Sequence, residues 1–190
     1  MKKLILIFCV ASCSISLLAQ TPTFSKGDQV AGLAVGIGGN LHSGLGYGSG
    51  MTRLPAISGS YEYAILDHLW DEKSSLGAGG VLGFAYAKWK AREYEYGWKC
   101  TNFIIGARAS LHYALVDKLD TYTSLMLGAN VVSWKWTGDY DEYGRKGSAG
   151  SGLAMMWNVG ARYYFTDKIA AFGELGYGFT ILNLGVCMKF

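Results

Sequence analysis

The chain has 190 residues, of which 51% are hydrophobic and 14% aromatic, whereas only 16% are charged. Soluble domains carry about 25% charged residues and disordered chains lack such apolar content, so the composition excludes disorder and is unusual for a soluble protein. The formal net charge of +3 gives no basic excess of the kind that nucleic-acid binding requires.

Residues 1–19 are predicted to be a signal peptide. Lys2 and Lys3 give it a positive start, a short apolar run follows, and small residues lead up to Ala19. The apolar run is too short for a transmembrane helix, which needs about 20 such residues. We therefore predict cleavage between Ala19 and Gln20.

Lipoprotein processing is the alternative for this segment. The tetrapeptide that ends at Cys13, Val-Ala-Ser-Cys, resembles a lipobox and would make Cys13 a lipidated N-terminus. The early position of Cys13 and the apolar residues after it favour the cleaved signal peptide. No long apolar run follows residue 20, which excludes a helical membrane protein.

Beyond residue 28 the dominant pattern is strict alternation. At the C-terminus, Leu184, Val186 and Met188 share one parity, whereas Gly185 and Cys187 take the other. Such a pattern predicts a strand with one apolar and one small or polar face. Eight segments show it: 31–37, 57–65, 82–86, 103–113, 123–131, 155–165, 169–177 and 182–190.

The predicted connections alternate in length. Short turns are expected at 67–75, 116–120 and 166–168, and longer loops at 39–53, 88–99 and 135–150. Short turns on one side and long loops on the other are typical of outer-membrane barrels, which also have an even number of strands.

A soluble sandwich is the competing fold. The minor face of the strands consists mostly of Gly, Ala and Ser, which suits a narrow barrel interior better than a solvated surface. Aromatic residues gather at the strand ends, where a membrane interface would lie; they are Trp89, Trp98, Trp134 and Trp136 toward the long loops, and Tyr113, Tyr163 and Phe165 toward the short turns. We therefore predict that residues 20–190 form an all-β, eight-stranded antiparallel up-and-down transmembrane β-barrel.

The C-terminal part also resembles a known family. The matching residues are Tyr163-Tyr164-Phe165, Thr166-Asp167-Lys168, the run from Phe172 to Gly178, and terminal Phe190. This segment is similar to the last hairpin of small outer-membrane proteins of the OmpX and OmpA-transmembrane type. The resemblance implies the outer membrane of a Gram-negative bacterium, contact with outer-membrane lipid and lipopolysaccharide, and insertion by the barrel-assembly machinery, which would recognise Phe190. It implies no activity, because the family is functionally mixed.

Four charged residues fall on the predicted inner faces: Glu62, Arg108, Arg162 and Glu174. An eight-stranded barrel is only wide enough for side chains to fill it, and a lone buried charge is costly. We expect these residues to form ion pairs that fill the lumen. A narrow pore or a small-ligand transport site is the alternative.

A lipid A-modifying enzyme is a further alternative, raised by His42-Ser43 and by Ser110 with His112. Hydrolysis needs Ser, His and an orienting acid within reach of one another, and no acid stands beside His42. We therefore expect no enzyme, no cofactor and no metal.

Residues 20–190 retain two cysteines, Cys100 and Cys187, which the predicted topology places at opposite ends of the barrel, too far apart for a disulfide. The function expected is that of a non-enzymatic barrel with a side-chain-filled lumen, serving envelope integrity or surface contact. The Tyr- and Trp-bearing loops suit contact with extracellular protein or glycan.

Overall fold

The computed structural model describes residues 23–38, 51–90, 97–137 and 148–190. These residues form nine strands, namely β1 (Gln29–Ile37), β2 (Met51–Arg53), β3 (Ala56–Asp67), β4 (Ser74–Lys90), β5 (Gly97–Val116), β6 (Leu119–Thr137), β7 (Ser148–Tyr164), β8 (Ile169–Tyr177) and β9 (Leu182–Lys189). No helix in these ranges is long and apolar enough to cross a membrane.

Eight of the strands close into a ring. Every pairing is antiparallel, β3 pairs with both β1 and β4, and β1 also pairs with β9. From β9 the ring continues through β8, β7 and β6 to β5, and the β4–β5 ladder closes it. The predicted eight-stranded antiparallel barrel is confirmed. The short β2, which pairs only with β4, was not predicted, because it lies inside the expected loop 39–53.

The alternation seen in the sequence becomes the two faces of the barrel wall. Large apolar side chains cover the outside; Leu33 is 66% exposed, Leu127 54% and Val186 59%. The opposite parity is buried, as at Ile104 and Met126. Lipid can solvate such an exterior and water cannot, so the wall has the character of a membrane-spanning barrel.

Tight turns close the short-turn side. A two-residue turn links β5 to β6, and Lys118 takes a left-handed conformation there with φ of 64°. In the turn between β7 and β8, Thr166 Oγ1 accepts hydrogen bonds from the N–H groups of Lys168 and Ile169. Side chains thus satisfy backbone groups that the ladders leave unpaired.

The strands on the long-loop side extend further than predicted. The β4–β5 ladder runs to the pair Lys90 and Gly97, and the β5–β6 ladder to Gly97 and Thr137. The predicted loops 88–99 and 135–150 were therefore too long, because their first and last residues belong to strands. Lipid no longer selects for apolar residues beyond the bilayer, so alternation fades there although the hydrogen-bonded ladder continues.

The tryptophans of this side lie at the predicted height, but their expected interfacial orientation is wrong. Trp89, Trp98 and Trp136 face one another across β4, β5 and β6. Trp98 has the parity of buried Asn102 and Ile104 on β5, so it and its ladder partners Trp89 and Trp136 lie on the inner face of the wall. Trp134 lies opposite buried Cys100 and is on the same face. Trp98 and Trp136 pack edge to face with ring centroids 5.0 Å apart.

Candidate functional site: the closed lumen

The barrel interior holds the structure's main concentration of buried charge. Charged and polar side chains occupy its middle, and a mostly apolar cluster lies toward each end. The size of an eight-stranded barrel explains this arrangement, because its interior is just wide enough for side chains to meet across it.

One half of the charged layer is built around His112. Its Nδ1 lies 2.9 Å from Asp120 Oδ2 and its Nε2 lies 3.0 Å from Glu62 Oε1. Arg162 Nη2 donates to Glu62 Oε2, and its Nη1 lies 3.7 Å from Asp120 Oδ2. The four side chains form a closed circuit in which each carboxylate contacts both cations.

The other half is built around Glu174. Arg108 Nη2 donates to Glu174 Oε1 at 2.6 Å, and the Tyr122 hydroxyl donates to the same oxygen at 2.9 Å. The amide nitrogens of Asn158 and Asn183 lie 3.4 and 3.3 Å from Glu174 Oε2. Both carboxylate oxygens are therefore satisfied by donors from four other strands.

Tyr122 joins the two halves. The guanidinium carbons of Arg108 and Arg162 lie 5.4 and 4.6 Å from the centre of its ring, within the range of a cation–π contact. Both His112 contacts are hydrogen bonds only when both ring nitrogens carry hydrogen. In that form three carboxylates face three cations and the layer carries no net charge, which makes its burial tolerable.

One apolar cluster lies at the short-turn end of the lumen and includes Phe24. Residues 23–28 precede β1 and fold into the barrel mouth, where Phe24 is 1% exposed. Its ring centroid lies 4.3 Å from that of His112. Lys189 Nζ donates to the Thr23 carbonyl at 3.1 Å, which anchors this segment to the last strand.

The other apolar cluster lies at the long-loop end of the lumen. The connection between β8 and β9 is short and turns inward, with Gly178 at φ of 128°. Phe179 is buried against Val81, Ile104, Met126 and Met156. Beyond it lies a cavity of about 100 Å³, bordered by Asn102, Asn130 and Phe179.

Glycines on the inner face make room for the large side chains. A Cβ at Gly160 would lie 2.7 Å from Tyr122 Cζ, and a Cβ at Gly77 would lie 2.6 Å from Glu62 Oε1. At these two inner-face positions, the missing Cβ of glycine leaves the space that a side chain of the lumen network occupies.

Ser110 and His112 do not form a nucleophile–base pair. The Ser110 hydroxyl accepts from Arg108 Nε at 3.3 Å, and both ring nitrogens of His112 face carboxylates. A histidine with no free nitrogen cannot take the proton of a serine. His42 and Ser43 lie outside the described residues.

No family model matches the chain, and no curated protein matches it. Among solved structures, the chain is similar to Ail, the attachment invasion locus protein of Yersinia pestis, in complex with the heparin analogue sucrose octasulfate. The TM-score is 0.53 at 10% identity, over 87% of this chain and 99% of that chain. It is also similar to the outer membrane protein OprG from Pseudomonas aeruginosa, with a TM-score of 0.51 at 9% identity, over 89% of this chain and 99% of that chain.

The fold is that of an eight-stranded outer-membrane barrel. At these identities the similarity concerns the fold alone. The lumen of this outer-membrane-type barrel brings together all four charged residues expected there, as two separate pairs, Arg108 with Glu174 and Arg162 with Glu62.

Sequence reasoning missed other members of the lumen. Asp120 was assigned to a turn, His112 was left out of the predicted charge network, and Tyr122 was not considered at all. The parity of Asp120 and Tyr122 with Ser124 was the signal that could have placed them inside. Phe24 and Phe179 lie outside regular strands, so periodicity could not have found them.

The remaining predicted sites are distributed as follows. Cys100 and Cys187 are buried free thiols; Cys100 lies in the long-loop half of β5 and Cys187 near the short-turn end of β9. Phe190 ends the chain on the outside, 61% exposed, and its N–H donates to the Gln29 carbonyl at 2.9 Å. The described residues contain no His, Cys, Asp and Glu cluster of metal-binding type. The predicted signal peptide, residues 1–19, lies outside the described residues.

Proposed function

We propose that the chain spans the outer membrane of a Gram-negative bacterium as a closed barrel and presents the outer ends of β4 to β7, on the long-loop side, at the cell surface for contact with other molecules. The charged layer and the two apolar clusters support a closed lumen, since side chains fill it at three heights. A non-enzymatic role agrees with the engaged state of His112, whose ring nitrogens both face carboxylates.

The observation that carries the surface role is the unpartnered edge of β7. This strand pairs with β8 only over 157–164, whereas its pairing with β6 continues to Ser148. Within the described residues, positions 148–156 thus have a partner on one side only. Exposed strand edges offer N–H and C=O groups to an extended segment of another protein, and residues 148–153 of β7 are exposed.

Adhesion of whole bacteria to a cultured epithelial monolayer tests this role. A laboratory Gram-negative strain carrying the wild-type gene should adhere more than the same strain with an empty vector. Gly150→Lys combined with Gly152→Lys should return adhesion to the vector level, because charge on an edge strand discourages strand addition. Neither side chain would meet another atom within 4 Å of its Cβ.

A matched control changes the net charge equally at the short-turn side. Asp117→Asn combined with Asp167→Asn adds the same two positive units and should leave adhesion unchanged. Equal loss in both pairs, or adhesion no higher than the vector, would contradict the surface role.

Planar-bilayer recording tests the closed lumen separately. Purified wild-type barrel should give no steady conductance steps, because the charged layer and both apolar clusters occlude the interior. Regular single-channel steps from the folded barrel would replace the closed barrel with the pore alternative.

A further inference from the structure

Three lysines lie side by side on the outer surface of the barrel wall. Lys88 of β4 is directly opposite Lys99 of β5, and Lys99 is directly opposite Lys135 of β6. They share parity with exposed Phe84, Phe103 and Val131, which places all three on the outward face.

This lysine row lacks an acidic counterpart. Directly opposed side chains in an antiparallel sheet have Cβ atoms about 5 Å apart, and like charges there are destabilising. None of the three makes an ion pair among the described residues. Among the described residues, the wall on this side of the lumen layer carries no Asp or Glu, so the row has no balancing charge within the described wall.

The height of the row identifies the depth at which a balancing charge would lie. Lys99 and Lys135 stand four positions beyond the last large apolar side chains on the outward faces of their strands, Phe103 and Val131. Lys88 stands four positions beyond Phe84, with the amphipathic Tyr86 between them. At about 3.3 Å per residue and a tilt of about 40°, the row stands about 10 Å above the apolar band. Headgroups occupy roughly the first 5–8 Å beyond the hydrocarbon, and lysine side chains reach down to them.

We propose that the lysine row binds the phosphates of a phosphorylated outer-leaflet glycolipid of the lipopolysaccharide type. The inference rests on the proposed outer-membrane location and deepens it by naming a lipid site. The apolar wall below the row contacts the acyl chains, and the three ammonium groups neutralise the phosphate charge at the interface. Each lysine near an anionic surface contributes about a five-fold gain in affinity.

Reconstituted barrel provides the test. Wild-type protein is folded into phosphatidylcholine vesicles, and binding of fluorescent lipid A is followed by energy transfer from the protein's tryptophans. Lys88→Gln, Lys99→Gln and Lys135→Gln together should weaken this binding at least ten-fold. The matched control, Lys73→Gln with Lys118→Gln and Lys168→Gln, removes the same charge from the short-turn side and should retain wild-type binding.

Further probes separate the sources of negative charge. Dephosphorylated lipid A should bind wild-type protein as weakly as lipid A binds the variant with Lys88, Lys99 and Lys135 replaced. In 0.5 M salt, the difference in lipid A affinity between wild-type protein and this variant should become smaller. Equal binding by the two triple variants would overturn the proposal. Soluble heparin, a polyanion that is not a lipid, serves as a second probe. The proposal would also be overturned if the variant lacking Lys88, Lys99 and Lys135 lost binding to heparin but kept binding to lipid A, because the row would then bind a soluble polyanion.

Two controls keep the result interpretable. Heat-modifiable migration on gels confirms that each variant is folded, and since the lysines face outward on continuous ladders, their removal relieves repulsion rather than creating a cavity. Adhesion and conductance are measured in separate assays. A negative result in the lipid A binding assay would therefore overturn the lipid site without contradicting the proposal of a closed barrel with a surface-contact role.

Discussion

Arg162 contacts both carboxylates of its half of the lumen layer and two aromatic rings. It donates to Glu62, approaches Asp120 and lies over the rings of Tyr122 and Phe24. In a layer with balanced charges, removal of one cation leaves a carboxylate without its partner, and that penalty exceeds the net value of the pair itself.

Arg162→Ala is therefore expected to lower the free energy of unfolding by about 3–5 kcal/mol. The double variant Glu62→Gln with Arg162→Met should recover part of that loss, because no charge is then orphaned. Urea titration of vesicle-folded protein, followed by tryptophan fluorescence, measures both. Val186→Ala on the lipid-facing wall is the comparison and should cost less; an equal loss there would argue against the network as the source.

Gly160 shows how closely the lumen is packed. A methyl group at this position would lie 2.7 Å from Tyr122 Cζ and 2.8 Å from its hydroxyl oxygen. Gly160→Ala should displace Tyr122 from Glu174 and destabilise the barrel by about 1–3 kcal/mol. Gly152→Ala is a matched control on the same strand and parity, since its Cβ would meet nothing within 4 Å. Similar urea midpoints for the two variants would show that Tyr122 can move without loss.

At the scale of elements, the strands were predictable and the segments that fold into the barrel were not. Alternation identified all eight ring strands because lipid outside and a narrow lumen inside impose opposite residue types on neighbouring positions. The same reasoning placed Glu62 and Arg162 in the lumen. It shortened β4 to β7 at their outer ends, which have water or protein on both faces, so that only hydrogen bonding reveals them. It also missed residues 74–81 of β4, where glycines and other small residues obscure the alternation.

The N-terminal segment 23–28 illustrates what periodicity cannot detect. It is too short to show a period, yet backbone hydrogen bonds connect Gly27 and Asp28 to Ala64 and Lys189 contacts Asp28 at 3.4 Å. Ala64 lies on β3 and Lys189 on β9, two strands far apart in sequence, so only the closed barrel brings them together around this segment.

Phe24→Ala should destabilise the barrel by about 3–5 kcal/mol, because a fully buried ring is removed and the cavity cannot collapse against a rigid wall. Lys26→Ala, in the same segment but exposed, should change the urea midpoint little. If both variants unfold like the wild type, residues 23–28 contribute no stability to the short-turn end.

At the scale of the whole molecule, charge differs between the two ends of the wall that the structure describes. The described long-loop wall carries Arg53, Lys88, Lys90, Lys99 and Lys135 without a carboxylate, whereas the short-turn side mixes both signs. An anionic outer leaflet would attract the basic long-loop wall, whereas the short-turn side, which carries both signs of charge, would face the periplasm. Composition alone could not reveal this asymmetry, because the net charge of +3 sums both ends.

The orientation that follows can be measured in intact cells. Gly150→Cys places a thiol on the exposed outer part of β7, and Asp167→Cys places one in the short turn between β7 and β8. A membrane-impermeant maleimide should label the first variant in intact bacteria and the second only after the outer membrane is permeabilised. The wild-type chain is the background control, because Cys100 and Cys187 are buried and should not react. If only the short-turn cysteine were labelled in intact cells, the barrel would have the opposite orientation. The lysine row would then face the periplasmic leaflet.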